Sequence, residues 1–338
     1  MLAPIATAAP TAADDAMTPP PGAPGNRARL LAGTASGDFT GATGPSPFAA
    51  GPDHPSVARR ARDCIAVDPL AFRQQCRIPA SSLWPRQRAN FTAMHPRTSE
   101  SFLHLDMLRQ PNDTTCGPTC LHAVYRYFDD ELPLTTVINN VAALESGGTF
   151  AVFLALDALR RGYRTVIHTC NVQVFDPTWF RDGAAVPDLH DRLLLRAEWF
   201  EVEEHPDPRM VGACRAYAEY LKAGGEVQMP DLTAQLISGY LEQGLPILCG
   251  LSSTWLYRAM RDFGPTDVDD DIRGMPSGHF VVLVGYDPAT HMVSVADPFI
   301  SNPSRDHLYD VDINRLICAI LLGIVTYDAN LLILEPRS

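Results

Sequence analysis

Three residues of this 338-residue sequence have side chains and settings suited to thiol catalysis: Cys116, His279 and Asp297. Cys116 opens a segment with helical spacing, and the partial positive charge at a helix start favours the thiolate, which is the reactive form. A thiol nucleophile needs a base within hydrogen-bond reach, and the base needs a partner that orients it. His279 and Asp297 fit these two roles because each lies at the end of a β-rich segment.

The segments beside His279 and Asp297 are predicted to form an antiparallel hairpin. Residues 280–286 and 292–296 are rich in β-branched side chains, and the turn residues of 287–291 join them. A hairpin centred near residue 288 or 289 places His279 opposite a residue between about 297 and 299. The spacing therefore predicts that His279 and Asp297 are neighbours at the open end of the hairpin.

Acyl transfer also needs hydrogen-bond donors directed at the developing oxyanion. The backbone N–H of Cys116 is one candidate, and the side-chain amide of Gln110, six residues upstream across a turn, is the other. The substrate is expected to contact the glycines beside the nucleophile and the base, together with residues that follow a predicted buried strand. These expected substrate-binding residues are Gly117, Gly278, Ser252 and Trp255, with Ser253, Thr254 and Tyr257 as further candidates for the cleft wall.

The segment Gln110-Pro-Asn-Asp-Thr-Thr-Cys116-Gly-Pro resembles the active-site segment of C39-type and C39-like cysteine peptidases, in which a Gln precedes Cys-Gly-Pro by six residues. Gly278-His279-Phe-Val-Val-Leu-Val-Gly is similar to the His motif of that family. Val295-Ala-Asp297-Pro298 is similar to its Asp motif. The likeness covers roughly residues 100–335, with the three motifs in the family's order. Thr115 departs from the common pattern, which has an acidic residue before the Cys.

The resemblance implies an α+β, papain-like cysteine peptidase fold. Its Cys helix packs against an antiparallel sheet that carries His and Asp, and the long segment between Cys116 and His279 adds helices. It also implies thiol-dependent hydrolysis of a peptide or amide bond in a peptide or protein substrate, without a cofactor. Two alternatives remain open: a thiol acyltransferase or peptide ligase on the same triad, and a catalytically silent peptide-binding module.

Composition argues against several other classes of function. The net charge of −12 gives no general affinity for nucleic acid or an anionic membrane. The longest apolar stretch, residues 316–325, is shorter than the ~20 residues that a membrane-spanning helix needs. The sequence has no Gly-x-x-x-x-Gly-Lys loop, so no nucleotide partner is expected. Eight scattered cysteines, several of them in apolar runs, favour the reducing cytoplasm.

Two regions of different composition divide the chain. Residues 1–100 are rich in Ala, Pro, Gly and Arg, and are predicted to be a disordered or non-native extension. Residues 101–336 are predicted to form the peptidase domain. The patterns in this domain predict helices over 116–128, capped by Thr114 or Thr115, over 149–160, 188–200 and 207–222, and from Asp231 to Gly244. They also predict strands over 102–108, 163–169 and 245–251.

Each candidate residue also has a structural interpretation. Cys116 could be a buried thiol, His279 a strand-end histidine, Asp297 a strand terminator and Gln110 a turn residue. Cys116, Cys120 and His122 could form half of a zinc site, but no second pair of ligands stands at zinc-site spacing. The acidic run Asp267, Asp269, Asp270 and Asp271 lacks the Gly and Glu of a calcium loop. A solvated loop that favours a cationic substrate is the preferred interpretation, and no metal is expected.

Overall fold

The computed structural model describes residues 102–144, 147–202, 206–264, 268–326 and 328–337. The extension predicted over residues 1–100 lies outside them. In the described residues the α-helices are α1 (Cys116–Tyr127), α2 (Leu134–Asn140), α3 (Ala151–Arg160), α4 (Leu189–Val202), α5 (Pro208–Lys222), α6 (Ala234–Glu242), α7 (Ser253–Tyr257) and α8 (Ile313–Leu322). The strands are β1 (Arg164–Thr169), β2 (Phe180–Arg181), β3 (Ala184–Ala185), β4 (Glu226–Gln228), β5 (Ile247–Ser252), β6 (Asp262–Phe263), β7 (Val268–Asp269), β8 (Gly278–Asp287), β9 (Met292–Ala296), β10 (Leu308–Asp312) and β11 (Asn330–Glu335).

The predicted α+β architecture is confirmed. Among the described residues, nine strands form one sheet in the order β10-β9-β8-β5-β11-β1-β4-β3-β2, which is antiparallel except where β1 pairs with β4. Strands β6 and β7 form a separate hairpin. Helix α1 packs against β8, which carries His279, and β9 leads directly to Asp297. This is the arrangement that the resemblance to papain-like peptidases implies.

Helix α1 is buried along most of its length and fixes the position of Cys116. Leu121, Val124 and Tyr125 recur at helical spacing and are completely buried. Burial of each such apolar side chain contributes about 1.5–3 kcal/mol, so the helix is firmly held. The expected capping by Thr114 or Thr115 is wrong. Thr115 occupies the N-cap position, but its hydroxyl donates to the Asn112 carbonyl at 3.0 Å and so stabilises the preceding turn.

Helices α4 and α5 pack against each other and supply helices predicted for the long segment between Cys116 and His279. Asp207 caps α5 by accepting hydrogen bonds from the N–H groups of Arg209 (3.0 Å) and Met210 (3.1 Å). Helix α6 begins later than expected, because Thr233 and not Asp231 provides its cap, accepting from the Leu236 N–H at 3.2 Å.

The strand predicted over residues 102–108 is absent from the described structure. Strand β8 already pairs with β5 and β9, which leaves little backbone for a further partner. A β-bulge between Leu283 and Gly285 interrupts the pairing with β9. At this bulge the Val284 carbonyl accepts a single hydrogen bond from the Leu103 N–H at 2.7 Å. Within the described ranges, no helix combines the length and apolar composition needed to cross a membrane.

Candidate active site

The hairpin of β8 and β9 brings His279 and Asp297 together, as the spacing predicts. The His279 Nε2 atom lies 2.9 Å from Asp297 Oδ1. His279 is paired with Leu251 of β5, in the interior of the sheet, and only 8% of its surface is exposed. The imidazole is therefore fixed both by its strand and by the carboxylate.

Four donors surround the carboxylate of Asp297, which is completely buried. Oδ1 accepts from His279 Nε2 and from the Phe299 N–H at 2.8 Å. Oδ2 accepts from the hydroxyls of Tyr257 and Tyr309, each at 2.6 Å. Burial alone would raise the pKa of Asp297, but the charge of His279 and these hydrogen bonds hold the pKa below its usual value. The carboxylate thus stays ionised in a site that excludes water.

His279 links this carboxylate to Cys116. Burial lowers the pKa of His279, but the charge of Asp297, the hydrogen bond to Asp297 and the hydrogen bond to Cys116 together raise the pKa to about 10. Because Nε2 faces Asp297, Nδ1 is the ring nitrogen that remains for Cys116. A protonated imidazole between a carboxylate and a thiol is a suitable partner for a thiolate.

Cys116 and Cys120 lie one turn apart on α1 in different surroundings. Cys116 is the first residue of the helix, where the N–H groups have no partner within the helix. Cys120 is completely buried, and its thiol contacts the Phe280 carbonyl at 3.3 Å. Burial, and then the nearby Cys116 and Asp297, raise the pKa of Cys120 well above its ordinary value. Cys120 is therefore a structural thiol.

Gln110 lies beside the Asp297 motif and is 7% exposed. Its backbone N–H donates to the Pro298 carbonyl at 3.0 Å, which ties the turn before α1 to the segment after β9. Its side-chain Nε2 donates to the Asn112 carbonyl at 2.9 Å. An amide group carries two N–H donors, so this bond orients the side chain and leaves one donor for a ligand.

Two cavities meet at His279. The Asp328 cavity, of about 500 Å³, is lined by Cys116, Thr149, Gly278, His279 and Asp328 among others. The Gln110 cavity, of about 620 Å³, is lined by residues that include Gln110, Ser253, Thr254, Tyr257, His279 and Phe299. Asp113 also contributes to both cavities. Because both cavities are lined by His279, a ligand beside this residue has room in each of them.

The residues predicted for the cleft wall are only partly brought to it. Gly278 lines the Asp328 cavity. Gly117 does not line the cavity but packs against Thr149, which does. A Cβ atom at Gly117 would lie only 2.7 Å from Thr149 Cγ2, so a larger residue would not fit there without a shift. Neither cavity includes Ser252 or Trp255 in its walls.

The position of Ser252 and Trp255 follows from where α7 begins. Ser252 is buried, and its hydroxyl caps α7 by accepting from the Trp255 N–H at 3.4 Å. The Trp255 ring lies under the guanidinium of Arg258, 4.7 Å from it. Ser253, Thr254 and Tyr257 share the helical face that lines the Gln110 cavity.

Within the ranges that the structure describes, no three His, Cys, Asp or Glu side chains are grouped as metal ligands. His122 Nε2 faces the Leu132 carbonyl at 2.9 Å, so it does not join Cys116 and Cys120 in a zinc site. Asp267, part of the acidic run, lies outside the described residues. In the same run, the carboxylate of Asp270 pairs with the Arg273 guanidinium at 2.6 Å.

Three residues with roles at the site were not identified from the sequence. Tyr257 was expected only as a wall residue, while Tyr309 and Asp328 were not singled out. A partial signal exists for Tyr309, because it lies in a segment of alternating apolar and polar residues, but nothing in the sequence pairs it with Asp297. These contacts join residues that lie far apart in the chain, so local patterns cannot reveal them.

Replacing Tyr257 or Tyr309 with Phe is expected to destabilise the fold and to raise its acid limit, which is the pH below which the fold is lost. Each loses a hydrogen bond to a buried carboxylate, worth about 1.5–3 kcal/mol. A carboxyl group with a depressed folded pKa contributes stability above its unfolded pKa, and this stability is lost as pH falls through the folded pKa. Losing one donor raises the folded pKa of Asp297 towards its unfolded value, so the carboxylate contributes less stability above the unfolded pKa, and that stability is completely lost at a higher pH.

Urea unfolding between pH 3 and pH 7, roughly the range in which carboxyl groups titrate, measures both effects of the tyrosine substitutions. Tyr127→Phe is the matched control, because its hydroxyl donates to a neutral group, the Gly244 carbonyl, at 3.0 Å. Tyr127→Phe should lower the free energy of unfolding by a smaller amount, and it should leave the acid limit unchanged. An unchanged acid limit in both Tyr257→Phe and Tyr309→Phe would show that these hydroxyls do not hold the carboxylate ionised.

Comparison with known proteins gives no match to a protein-family model and none to a curated protein. Among solved structures, the chain is similar to a double glycine motif protease from an AMS/PCAT transporter, determined in complex with the leader peptide. The identity is 12% and the TM-score is 0.33, over 71% of this chain and 96% of that chain. It is also similar to a candidate C39-like peptidase from Bacillus anthracis, with 12% identity and a TM-score of 0.35, over 71% of this chain and 97% of that one. At this level of identity, function has to be inferred from the geometry of the site itself.

Proposed function

We propose that this chain is a cysteine peptidase that hydrolyses a peptide or amide bond through an acyl-enzyme on Cys116. The observation that carries the proposal is the buried His279, whose Nε2 lies 2.9 Å from the Asp297 carboxylate and whose pKa is raised by both Asp297 and Cys116. A nucleophile, its base and an orienting partner in this order are what thiol-based acyl transfer requires.

In the proposed reaction, the Cys116 thiolate attacks the carbonyl carbon and forms a carbon–sulfur bond. The oxyanion accepts hydrogen bonds from the Cys116 N–H and the remaining Gln110 amide donor. The imidazolium of His279 then gives its proton to the leaving nitrogen as the carbon–nitrogen bond breaks. Water, deprotonated by His279, attacks the thioester, the carbon–sulfur bond breaks, and a carboxylic acid is released with the ion pair restored.

Peptide-library cleavage tests the proposed reaction. The full chain and its Cys116→Ala variant are incubated with a mixture of peptides, and mass spectrometry identifies new termini. We expect cleavage products with free carboxylates only from the unmodified chain. Identical products from Cys116→Ala would contradict the proposal.

Added amines separate hydrolysis from ligation, because both reactions pass through the same acyl-enzyme and differ in what resolves it. Glycine amide is added to the same incubation. If the chain is a hydrolase, free carboxylates should remain the main products. Predominant conjugates to glycine amide would instead identify an acyltransferase.

Gln110→Ala is expected to lower kcat by about 10²- to 10³-fold, because one of two oxyanion donors is lost. KM should change much less, since the interaction strengthens only as charge develops on the oxygen. Gln243→Ala is the matched control, because Gln243 is exposed on the surface and its amide donates to the Gly239 carbonyl. Steady-state kinetics on a peptide from the library measures both. A wild-type kcat in Gln110→Ala would remove this residue from the oxyanion site.

A further inference from the structure

Asp328 places a buried carboxylate in the wall of the cavity that also contains the proposed nucleophile and base. The residue is 5% exposed. Its Oδ2 accepts from the Ala151 N–H at the start of α3, at 2.8 Å, and its Oδ1 accepts from the side-chain amide of Asn330. The proposed reaction uses none of these groups, so this carboxylate calls for a separate explanation.

Two glycines make room for residue 328. A Cβ atom at Gly250 of β5 would lie 2.7 Å from the Asp328 carbonyl oxygen and 3.0 Å from its Cγ atom. A Cβ atom at Gly323 would also lie 2.7 Å from the same carbonyl oxygen. Real Cβ atoms do not approach other atoms so closely. The backbone at residue 328 can therefore keep its position beside the cavity only because residues 250 and 323 are both glycine.

The carboxylate lacks a positive partner among the residues that the structure describes. Its hydrogen-bond donors there are a backbone N–H and a neutral amide, and burial raises the pKa of Asp328 to about 7. A buried charge without a counter-charge is costly, whereas a cation in contact with it recovers much of that cost. A carboxylate accepts about four hydrogen bonds, so two positions remain for a ligand.

We propose that the Asp328 cavity binds a lysine or arginine side chain of the substrate, close to the scissile bond, and that Asp328 selects for it. This inference rests on the proposed function, because it takes Cys116 as the nucleophile that marks the scissile bond. A guanidinium is the best fit to the two free acceptor positions, since it can donate two parallel hydrogen bonds to one carboxylate.

Arg209 and Asp113 also line this cavity, and both are exposed. Water and salt weaken the effect of exposed charges on a ligand, while a buried charge acts at a lower effective dielectric constant. The preference for a lysine or arginine side chain should therefore depend on Asp328, and the positive charge of Arg209 should weaken this preference only slightly.

Peptidyl electrophiles that alkylate Cys116 test the inference on the full chain. The probes are acetyl-tripeptide chloromethyl ketones that differ in one residue, which is arginine, lysine, citrulline or leucine. Citrulline matches arginine in shape but is neutral. Each residue is placed first at the position beside the electrophile and then one position away. At one of these positions, arginine should react at least about tenfold faster than citrulline, as expected for one close charge pair.

Two variants locate the source of this preference. Asp328→Asn should bring the ratio of arginine to citrulline rates close to one. Asp157→Asn is the matched control, because Asp157 is a buried carboxylate that accepts from Tyr125 at 2.9 Å outside the cavity, and it should leave the ratio unchanged. Circular dichroism shows whether each variant is folded, because an unfolded fraction would react with both ketones at equal rates and would by itself move the ratio towards one.

Equal rates for arginine and citrulline at both positions, with Cys116 alkylated by both, would overturn the inference and leave the proposed function standing. This comparison uses the unmodified chain, so it decides the matter even if Asp328→Asn does not fold. An unchanged ratio in folded Asp328→Asn would also overturn it. If neither the ketones nor iodoacetamide labelled Cys116, the proposed function would fail, and this inference with it.

Discussion

Cys116→Ala and His279→Ala are each expected to reduce peptide turnover by at least about 10⁴-fold, while the fold is retained. The thiol forms the covalent bond, and the imidazole supplies and removes every proton, so neither step proceeds without its group. Steady-state kinetics and circular dichroism measure the two parts of this prediction. Cys318→Ala is the control, because Cys318 is an exposed free thiol, and it should leave turnover unchanged.

The double variant Cys116→Ala, His279→Ala should be no slower than either single variant. Residues that act as one catalytic unit give losses that do not multiply, because removing one already disables the other. If the double variant lost the product of the two single factors, Cys116 and His279 would be acting independently, and the proposed pairing would be wrong.

Asp297→Ala is expected to have the second largest effect, on stability as well as on turnover. It removes the acceptor shared by His279, Tyr257, Tyr309 and the Phe299 N–H, and leaves a buried imidazole without its counter-charge. Breaking such a buried pair costs about 3–5 kcal/mol of unfolding free energy. Urea unfolding measures this loss directly.

Asp297→Asn is the matched variant for this position. It keeps an oxygen that can accept from His279, but it loses the negative charge and much of the capacity to accept four hydrogen bonds. The losses of stability and of kcat should both be smaller than in Asp297→Ala. If Asp297→Ala unfolded at the same urea concentration as the unmodified chain, the buried network around Asp297 would not contribute to the fold.

The sequence predicts the central part of the site because that part depends on local spacing. The apolar positions of α1 recur at helical spacing, so its start at Cys116 can be predicted. The hairpin places His279 beside Asp297 by counting outward from its turn. The bulge at Leu283 and Gly285 was not predicted, yet the two side chains still meet at the open end.

The rest of the site depends on contacts that local patterns do not encode. Tyr309 reaches Asp297 only because β10 pairs with β9, and Asp328 reaches the cavity because glycines of other elements leave space for it. The five residues of α7 are too few to show which of them face the cavity, so Ser252 and Trp255 were predicted to line it together with Ser253, Thr254 and Tyr257, and only the last three do. The segment 102–108 alternates like a strand, but β8 has no free edge to receive it.

Alkylation of Cys116 against Cys120 tests the central claim most directly. The full chain is treated briefly with iodoacetamide at mildly acidic pH, and the modified cysteines are identified by peptide mapping. Cys116 should be labelled first, because it lies at the helix start beside a protonated His279, whose pKa is raised to about 10. Cys120 should hardly react, because it is completely buried and its pKa is raised well above the ordinary value. His279→Ala should slow the labelling of Cys116, since the ion pair is lost. Preferential labelling of Cys120, or an unchanged rate at Cys116 in His279→Ala, would contradict the assignment of Cys116 as the nucleophile or of His279 as its base.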